Sequence, residues 1–198
     1  MGKAVELAVR ESVHSISKKD MPLAKQVIDD DKKINEFHKR LREEIQRVIA
    51  TQAPVAGDLR LLLAAESMTT ELERIGDYAV RIAKRSKKLN KYELDEERGA
   101  ILEMGTLAQQ QVHDIMEAFM SQDDELIDQI VKRDDLLDQK YRQITSQQMN
   151  LIATEPDLAI SAQAIFNVVH NLERIGDRVT NIAEDIMYLR TGKVIDLG

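Results

Sequence analysis

The sequence predicts an all-α protein built by internal duplication, and three observations support this prediction. The hexapeptide Leu-Glu-Arg-Ile-Gly-Asp occurs twice, at residues 72–77 and 172–177. Only three prolines and eight glycines interrupt the 198 residues, and no alternating apolar pattern of the strand type runs for any length. We therefore expect two tandem three-helix bundles with six long helices, one bundle in residues 1–91 and the other in residues 92–198.

Two helices begin the first half. Residues 1–19 place valines at four-residue steps, which is the spacing of one helix face. Asp20 is positioned to cap a second helix, which has Pro22 in its first turn and runs to about Ala50. The apolar seam of this helix alternates four- and three-residue steps, as in helices that pack lengthwise against a partner.

The third helix follows a turn at residues 52–57. Asp58 is positioned to cap this helix, which carries the hexapeptide and ends near Asn90. The second half repeats the three helices at an offset of 103 residues, so that Asp20 matches Asp123, and then at an offset of 100 after a shorter turn. The two halves are thus predicted to share one fold and to be related by a pseudo-twofold axis.

The first helices of the two halves differ in length. Residues 93–103 have helical character and precede Met104, whereas the sequence has no counterpart ahead of Met1. We therefore predict that the first helix is truncated by about two or three turns relative to the fourth. This difference is expected to expose apolar surface on the opposing helices.

Composition argues against several classes of protein. Lys and Arg number 28 against 35 Asp and Glu, a net charge of −7, so binding to nucleic acid has no electrostatic support. The absence of cysteine excludes disulfides and thiolate metal sites. The longest apolar run, Leu61 to Ala65, is far shorter than the ~20 residues that span a bilayer. We expect a cytoplasmic protein that reaches a membrane only through a partner.

Carboxylates recur at matched places on the third helix of each half. Glu73 and Asp77 are four residues apart, as are Glu173 and Asp177, so each pair lies on one helix ridge with about 6 Å between Cβ atoms. The glycine of the hexapeptide lies between this ridge and the apolar stripe, and it costs ~1 kcal/mol relative to alanine. We expect it to admit a neighbouring backbone beside the carboxylates.

A second set of matched polar residues lies on the second helix of each half. Asp31 and Asp134 occupy seam positions where an apolar residue is expected, and burying them without a partner would be costly. Four residues further on stand Asn35 and Asp138. Converging oxygen ligands suit Mg, Ca, Mn, Fe or Zn, and bridging carboxylates favour more than one ion. The sequence therefore suggests a carboxylate metal site in each half.

Neutralisation by arginine is the alternative to metal binding. Arg74 and Arg174 adjoin the carboxylate pairs, and spacing alone leaves both explanations open. The second half favours metal, because its ridge continues with Asn181 and Glu184. The first half has Arg81 and a lysine at the same places.

Nothing in the sequence predicts catalysis. The four histidines fall at positions that do not match between the halves, which argues against a histidine-based centre. There is no glycine-rich loop to cradle phosphate and no Ser-His-Asp or Cys-His arrangement. We therefore expect a protein that is not an enzyme. The alternatives are a metal-dependent hydrolase that uses one carboxylate as a base, or a purely structural adaptor whose acids are all salt-bridged.

These motifs resemble those of the PhoU family of phosphate-uptake regulators, over nearly the whole chain. The resemblance rests on Pro54 to Arg60, the two hexapeptides, and Asn181 to Glu184. It implies two tandem three-helix bundles and multinuclear metal clusters, of iron or zinc, held by Glu/Asp-x-x-x-Asp motifs. These motifs fall on Glu73 and Asp77, on Glu173 and Asp177, and on Asp134 and Asp138. Asp31 also matches the family pattern, but Asn35 departs from it.

The same resemblance implies a regulatory role. Proteins of this family are thought to link the ATPase subunit of the phosphate ABC transporter to a sensor histidine kinase. In that role they act as negative regulators of the phosphate-starvation response. We accordingly expect those two partners, and a homodimer.

Overall fold

The computed structural model describes residues 1–121 and 123–197 and shows an all-α fold. The helices are α1 (Gly2–Ser17), α2 (Met21–Gln52), α3 (Ala56–Leu89), α4 (Asp95–Ser121), α5 (Asp124–Thr154) and α6 (Ala159–Thr191). A 3-10 turn, Pro156–Leu158, joins α5 to α6. The described residues contain no strand, and the predicted class is confirmed. Every helix in these ranges is too short or too polar to cross a bilayer.

Aspartates cap the second helix of each half, as predicted. The backbone N–H of Leu23 donates to Asp20 Oδ1 over 2.9 Å at the start of α2. At the matched place in the second half, the N–H groups of Glu125 and Leu126 donate to Asp123 Oδ1 over 2.9 and 3.4 Å. Each cap satisfies donors that the first helical turn leaves unpaired. Both helices therefore begin where the sequence predicts.

The predicted capping of α3 by Asp58 is wrong. The helix begins earlier, at Ala56, with Val55 as its N-cap and no side-chain hydrogen bond from the described residues there. Ala53 and Ala56 both adopt positive φ values, 45° and 49°, so the chain turns tightly around Pro54 and enters the helix early. Asp58 lies in the first turn instead, where its negative charge is favourable at the N-terminal end of the helix dipole.

Each half is a three-helix bundle, and two helix contacts join the halves. α1, α2 and α3 pack against one another, as do α4, α5 and α6. Between the halves, α1 packs on α4 and α3 packs on α6, the latter being the most extensive helix contact in the described structure. Among the described residues, α2 and α5 contact only elements of their own half. These two helices therefore lie on the outside.

An apolar core runs continuously through both halves. Fully buried members on four different helices include Val9, Ile75, Ile115 and Ile175. Burying a side chain of this size contributes about 1.5–3 kcal/mol relative to leaving it exposed. Because the core is continuous, each bundle stabilises the other.

α3 and α6 run antiparallel across a pseudo-twofold axis. Arg85 Nη2 donates to Asn167 Oδ1 over 3.5 Å, and Asn181 Nδ2 donates to Glu71 Oε2 over 3.4 Å. From the first pair to the second, the residue number falls on α3 and rises on α6 by the same amount, as expected for helices that run in opposite directions. Gly76 and Gly176, the glycines of the two hexapeptides, fit the same pairing, so the hexapeptides lie at one level of the interface. This is the relation that the repeat offset predicts.

The contact between α1 and α4 has the same symmetry. A Cβ on Gly105 would lie 2.5 Å from a methyl carbon of Val13, so the valine packs directly on the glycine. A Cβ on Gly2 would lie 2.8 Å from Met116 Cγ. Gly2 matches Gly105 and Val13 matches Met116 at the repeat offset. The same packing of a side chain onto a glycine therefore occurs twice.

The first helix is shorter than the fourth, as predicted. α1 has 16 residues and α4 has 27, a difference of about three turns. The added turns of α4 cover the far end of α5, where Ile144 is 4% exposed. Leu41, its counterpart on α2, is 38% exposed. The predicted exposure of apolar surface in the first half is confirmed.

Arg98, near the start of α4, connects the two halves. Its side chain is buried and donates to the backbone carbonyls of Ile16 and Leu89, with 2.7 Å between Nη2 and the Leu89 oxygen. These carbonyls lie at the C-terminal ends of α1 and α3, where a positive charge is favourable. One side chain of the second half thus caps two helices of the first.

Replacing Ile144 and Leu41 gives a matched test of packing at the two far ends. Ile144→Ala removes a buried side chain and is expected to lower the free energy of unfolding by about 2–4 kcal/mol. Leu41→Ala, at the matched exposed position, is expected to cost less than about 1 kcal/mol. Denaturant unfolding of both variants beside the parent measures the difference. Equal losses would show that the far end of α2 is covered in solution.

Candidate metal centres

The glycine of each hexapeptide sets the distance between the two polar ridges of a half. A Cβ on Gly176 would lie 2.7 Å from Leu137 Cδ2 and would overlap Asp134 Oδ1. A Cβ on Gly76 would lie 3.2 Å from an isoleucine side chain and 3.8 Å from Asp31 Oδ1. The prediction that a neighbouring backbone approaches each glycine is therefore wrong, because side chains of α2 and α5 fill this space. Each glycine places an aspartate beside the hexapeptide carboxylates.

Four predicted carboxylates lie close together in the second half, Glu173 and Asp177 on α6 and Asp134 and Asp138 on α5. The pKa of Glu173 is raised to about 7, first by burial and then by the charge of Asp177, with smaller contributions from the aspartates of α5. Burial also raises the pKa of Asp134, and the charges of Asp177 and Asp138 add to this shift. Burial and the neighbouring negative charges therefore make Glu173 and Asp134 costly to ionise, and Arg174 offsets only part of this effect at Glu173.

Arginines pair with two of these four carboxylates. Arg174 Nη1 lies 2.7 Å from Asp177 Oδ2. Arg142 Nη2 lies 2.9 Å from Asp138 Oδ2 and donates a hydrogen bond to it. Both pairs are substantially exposed to solvent, where ion pairs contribute little to stability. Ion pairing, the alternative left open by the sequence, is therefore present but incomplete.

Glu173 has the least satisfied carboxylate of the four. Its Oε2 atom is buried and has no hydrogen-bond partner among the described residues. His170 Nδ1 lies 3.4 Å from this oxygen, without the geometry of a hydrogen bond. Sequence reasoning did not select His170, because no histidine is repeated between the halves. Its spacing of three residues from Glu173, less than one helical turn, was the signal available.

Asp31 and Asp77 face each other in the first half. Burial raises the pKa of Asp31, and the charge of Asp77 raises it further. Asn35 Nδ2 donates to Asp31 Oδ2 over 3.0 Å, while Asp31 Oδ1 is buried without a partner in the described part of the chain. Arg74 lies 3.7 Å from a carboxylate oxygen of both Glu73 and Asp77. The first half therefore repeats the arrangement, with an amide in place of the fourth carboxylate.

Three polar residues expected near the carboxylates make other contacts. Arg81 lies over a tyrosine ring, with its Cζ atom 5.1 Å from the ring centroid. Asn181 donates to Glu71 across the α3–α6 interface, and Glu184 accepts from the N–H of Leu197 over 2.9 Å. Asn181 and Glu184 thus bind other parts of the chain, although both line the same cavity as Asp134 and Asp177.

The donors fit a hard metal ion in their chemistry. Glu173 and Asp31 carry buried oxygens that no described residue hydrogen-bonds, and a cation would satisfy these atoms. In the second half, the missing Cβ of Gly176 leaves room for the Asp134 carboxylate beside α6. Among the described residues, no three His, Asp or Glu side chains are already placed to hold one ion. Binding would therefore require these carboxylates to change conformation. Asp134 and Asp177 already line one cavity of about 290 Å³, together with Arg174 and Arg178.

Sequence reasoning missed one strongly shifted acid, Asp185 on α6. Its pKa is raised to about 6, chiefly by burial and also by the charges of Glu71 and Glu184, while a hydrogen bond from Ser67 opposes the shift. Its Oδ2 atom is buried without a hydrogen-bond partner in residues 1–121 and 123–197. The available signal was the repeat partner Arg85, which has the opposite charge at the matched position.

The fold and the paired sites define a class of duplicated helical bundles with two pseudo-equivalent carboxylate ridges. The family model described as PhoU domain matches the chain twice, over residues 1–86 and 101–186. The chain belongs to the PhoU family. The resemblance inferred from the hexapeptides is thereby confirmed.

Relatives match along nearly the whole chain. The phosphate-specific transport system accessory protein PhoU homolog of Clostridium acetobutylicum is 33% identical over 198 residues, covering 100% of this chain and 90% of the relative. The accessory protein PhoU of Escherichia coli K12 is 31% identical over 193 residues, covering 98% and 80%. The crystal structure of PhoU from Pseudomonas aeruginosa has a TM-score of 0.93 at 31% identity, covering 98% and 93%.

Substituting Gly176 tests the close approach of α5 to α6. Gly176→Ala places a methyl group on Asp134 and Leu137, and we expect it to lower the free energy of unfolding by about 1–3 kcal/mol. Gly99→Ala is the matched control, because a Cβ there meets nothing within 4 Å. It is expected to stabilise helix α4 by ~0.5–1 kcal/mol. Urea unfolding measures both, and a neutral Gly176→Ala would show that α5 can shift freely.

Asp185→Asn tests the buried acid through its pH dependence. Because the folded-state pKa of about 6 lies above the ordinary value of 3.8, ionisation of Asp185 destabilises the fold. This destabilisation is absent below about pH 4, grows as pH rises and is complete above about pH 7. Two pKa units correspond to ~3 kcal/mol, and partial exposure reduces the expected effect to ~2 kcal/mol.

The amide introduced by Asp185→Asn cannot ionise, so the variant should be more stable than the parent at about pH 8 and nearly equal to it at about pH 4. Denaturant titrations at both pH values measure the two differences. A constant difference between parent and variant across this range would contradict the assignment.

Proposed function

We propose that the protein regulates phosphate uptake by contact with other proteins. It would act in the cytoplasm as an adaptor between the ATPase subunit of the phosphate ABC transporter and a sensor histidine kinase. Through them it would keep phosphate-starvation genes switched off while phosphate is plentiful. The supporting observation is the match, along nearly the whole chain, to relatives named as accessory proteins of the phosphate-specific transport system.

The shape of the fold suits an adaptor. α2 has 32 residues and α3 has 34, which correspond to lengths of about 48 and 51 Å. α2 and α5 lie on the outside of the two bundles, so each half offers one helix to a partner. The continuous core would hold these two surfaces in a fixed relation. We include a homodimer in the proposal, and measuring the molar mass in solution tests it.

Metal binding is the second part of the proposal. The carboxylates that would hold divalent or trivalent ions, iron or zinc among them, are Asp31, Glu73, Asp77, Asp134, Asp138, Glu173 and Asp177. Support comes from the buried oxygens of Glu173 and Asp31, which lack hydrogen-bond partners among the residues described. Bound ions would supply the positive charge that these acids lack and would stabilise the scaffold. The carboxylates would hold and orient the ions, and no chemical step is part of the proposal.

Deleting the gene tests the regulatory role. We expect phosphate-starvation genes to stay on in the deletion strain at high phosphate, because the contact that transmits repression is lost. A reporter fused to a starvation promoter measures this, with the parental gene reintroduced as the control. Normal repression in the deletion strain would remove the assignment.

The double variant Glu173→Gln and Asp177→Asn tests metal binding. It keeps side-chain shape and removes ligand charge, so we expect about half of the bound metal to be lost if each half holds one site. The matched control is Glu36→Gln with Glu43→Gln, two exposed acids on α2 away from the ridges. Elemental analysis of the purified proteins measures the content. Unchanged content would favour the adaptor whose acids are neutralised by arginine.

A further inference from the structure

Asp134 receives two hydrogen bonds that have no counterpart in the described first half. Gln111 Nε2, on α4, donates to Asp134 Oδ1 over 3.2 Å. Thr180 Oγ1, on α6, donates to Asp134 Oδ2 over 3.2 Å. The matched positions in the first half carry Ala8 and Val80, which have no side-chain donor. Donors on two other helices therefore bind the two oxygens of the Asp134 carboxylate separately.

The presence of Gln111 is hard to explain by stability alone. Its side chain is fully buried, and no described residue hydrogen-bonds its Oε1 atom. Burying an unsatisfied amide oxygen costs about 1–3 kcal/mol. The first half shows that the fold accepts an alanine at this position. A buried polar group that destabilises the core needs a functional explanation. The amide nitrogen of Gln111 donates to Asp134, which supplies one.

Asp31, the first-half counterpart of Asp134, is held less firmly. Its hydrogen bond comes from Asn35, one turn further along the same helix, so this bond does not fix the carboxylate to a neighbouring helix. Its Oδ1 atom is buried and receives no hydrogen bond within the described ranges. The two halves thus place an aspartate at the same point but constrain it differently.

We propose that Gln111 and Thr180 are positioning residues that fix Asp134 for metal binding and make the second-half site the stronger one. This inference rests on the metal binding proposed above. A carboxylate held by hydrogen bonds loses less conformational freedom when it binds an ion, and the partners that orient metal ligands commonly change affinity by about 10- to 100-fold.

The first experiment isolates the second-half site. Glu73→Gln and Asp77→Asn remove the two α3 carboxylates of the first-half site and leave Asp31. Thr180→Val is then added, which keeps side-chain shape and removes the hydroxyl. Titration with Mn²⁺, followed by calorimetry and by electron paramagnetic resonance, is expected to show about tenfold weaker binding. Thr180→Ser, which restores the hydroxyl, is expected to bind Mn²⁺ as the parent background does.

The second experiment transfers the donors to the first half. In a background with Glu173→Gln and Asp177→Asn, the pair Ala8→Gln and Val80→Thr is expected to strengthen Mn²⁺ binding about tenfold. This gain does not follow from a purely structural role of the two donors. Melting temperatures without metal are recorded for every variant, so that affinities are compared only between folded proteins.

The outcomes separate the two proposals. Equal Mn²⁺ affinity for Thr180→Val, Thr180→Ser and their background would overturn the positioning role and leave metal binding standing. A lower melting temperature for Thr180→Val with unchanged affinity would assign Thr180 to the fold alone and would overturn it too. If the protein with all its carboxylates fails to bind Mn²⁺, both the metal binding and the positioning role are wrong.

Discussion

The packing of α3 on α6 is the contact on which the rest of the structure depends. The hexapeptide on each of these two helices meets three demands, one in the shared core and two toward the second helix of its own half. Its leucine and isoleucine enter the common core, where Leu72, Ile75, Leu172 and Ile175 are all buried. Its glycine admits the second helix of the same half, and its two acids face that helix. A change in either hexapeptide would therefore alter the shared core and the carboxylate ridge of its half together, which gives a physical reason for the identity of the two hexapeptides.

Close packing and charge oppose each other at the ridges. The glycine brings Asp134 against α6, and burial then raises the pKa values of Asp134 and Glu173. Exposed arginines relieve part of this destabilisation at Asp138 and Asp177. Both halves bury an aspartate in this way. In the second half, donors from two other helices bind Asp134, whereas in the first half Asp31 receives one hydrogen bond from the described residues, donated by Asn35. The two copies of the duplicated sequence therefore differ in the residues that surround this buried aspartate.

Much of the fold follows from the sequence because helix periodicity and duplication are local or repeated signals. The caps at Asp20 and Asp123, the short α1 and the position of Asp134 near enough to Glu173 for its charge to act there all belong to this group. Asp58 failed as a cap because positive φ angles at the preceding alanines start the helix early. The donors to Asp134 and the burial of Asp185 could not be predicted, because they depend on the rotation and level at which separate helices meet, which no single helix encodes.

Arg98 has a consequence for how the molecule comes apart. Its buried guanidinium binds the last carbonyls of α1 and α3, although it belongs to α4. Separating the two repeats would leave the Arg98 guanidinium without these carbonyl acceptors. It would also expose the apolar core that both bundles share. The two repeats are therefore expected to unfold together, in one cooperative transition with a single midpoint. Duplication here has produced one folding unit from two ancestral copies.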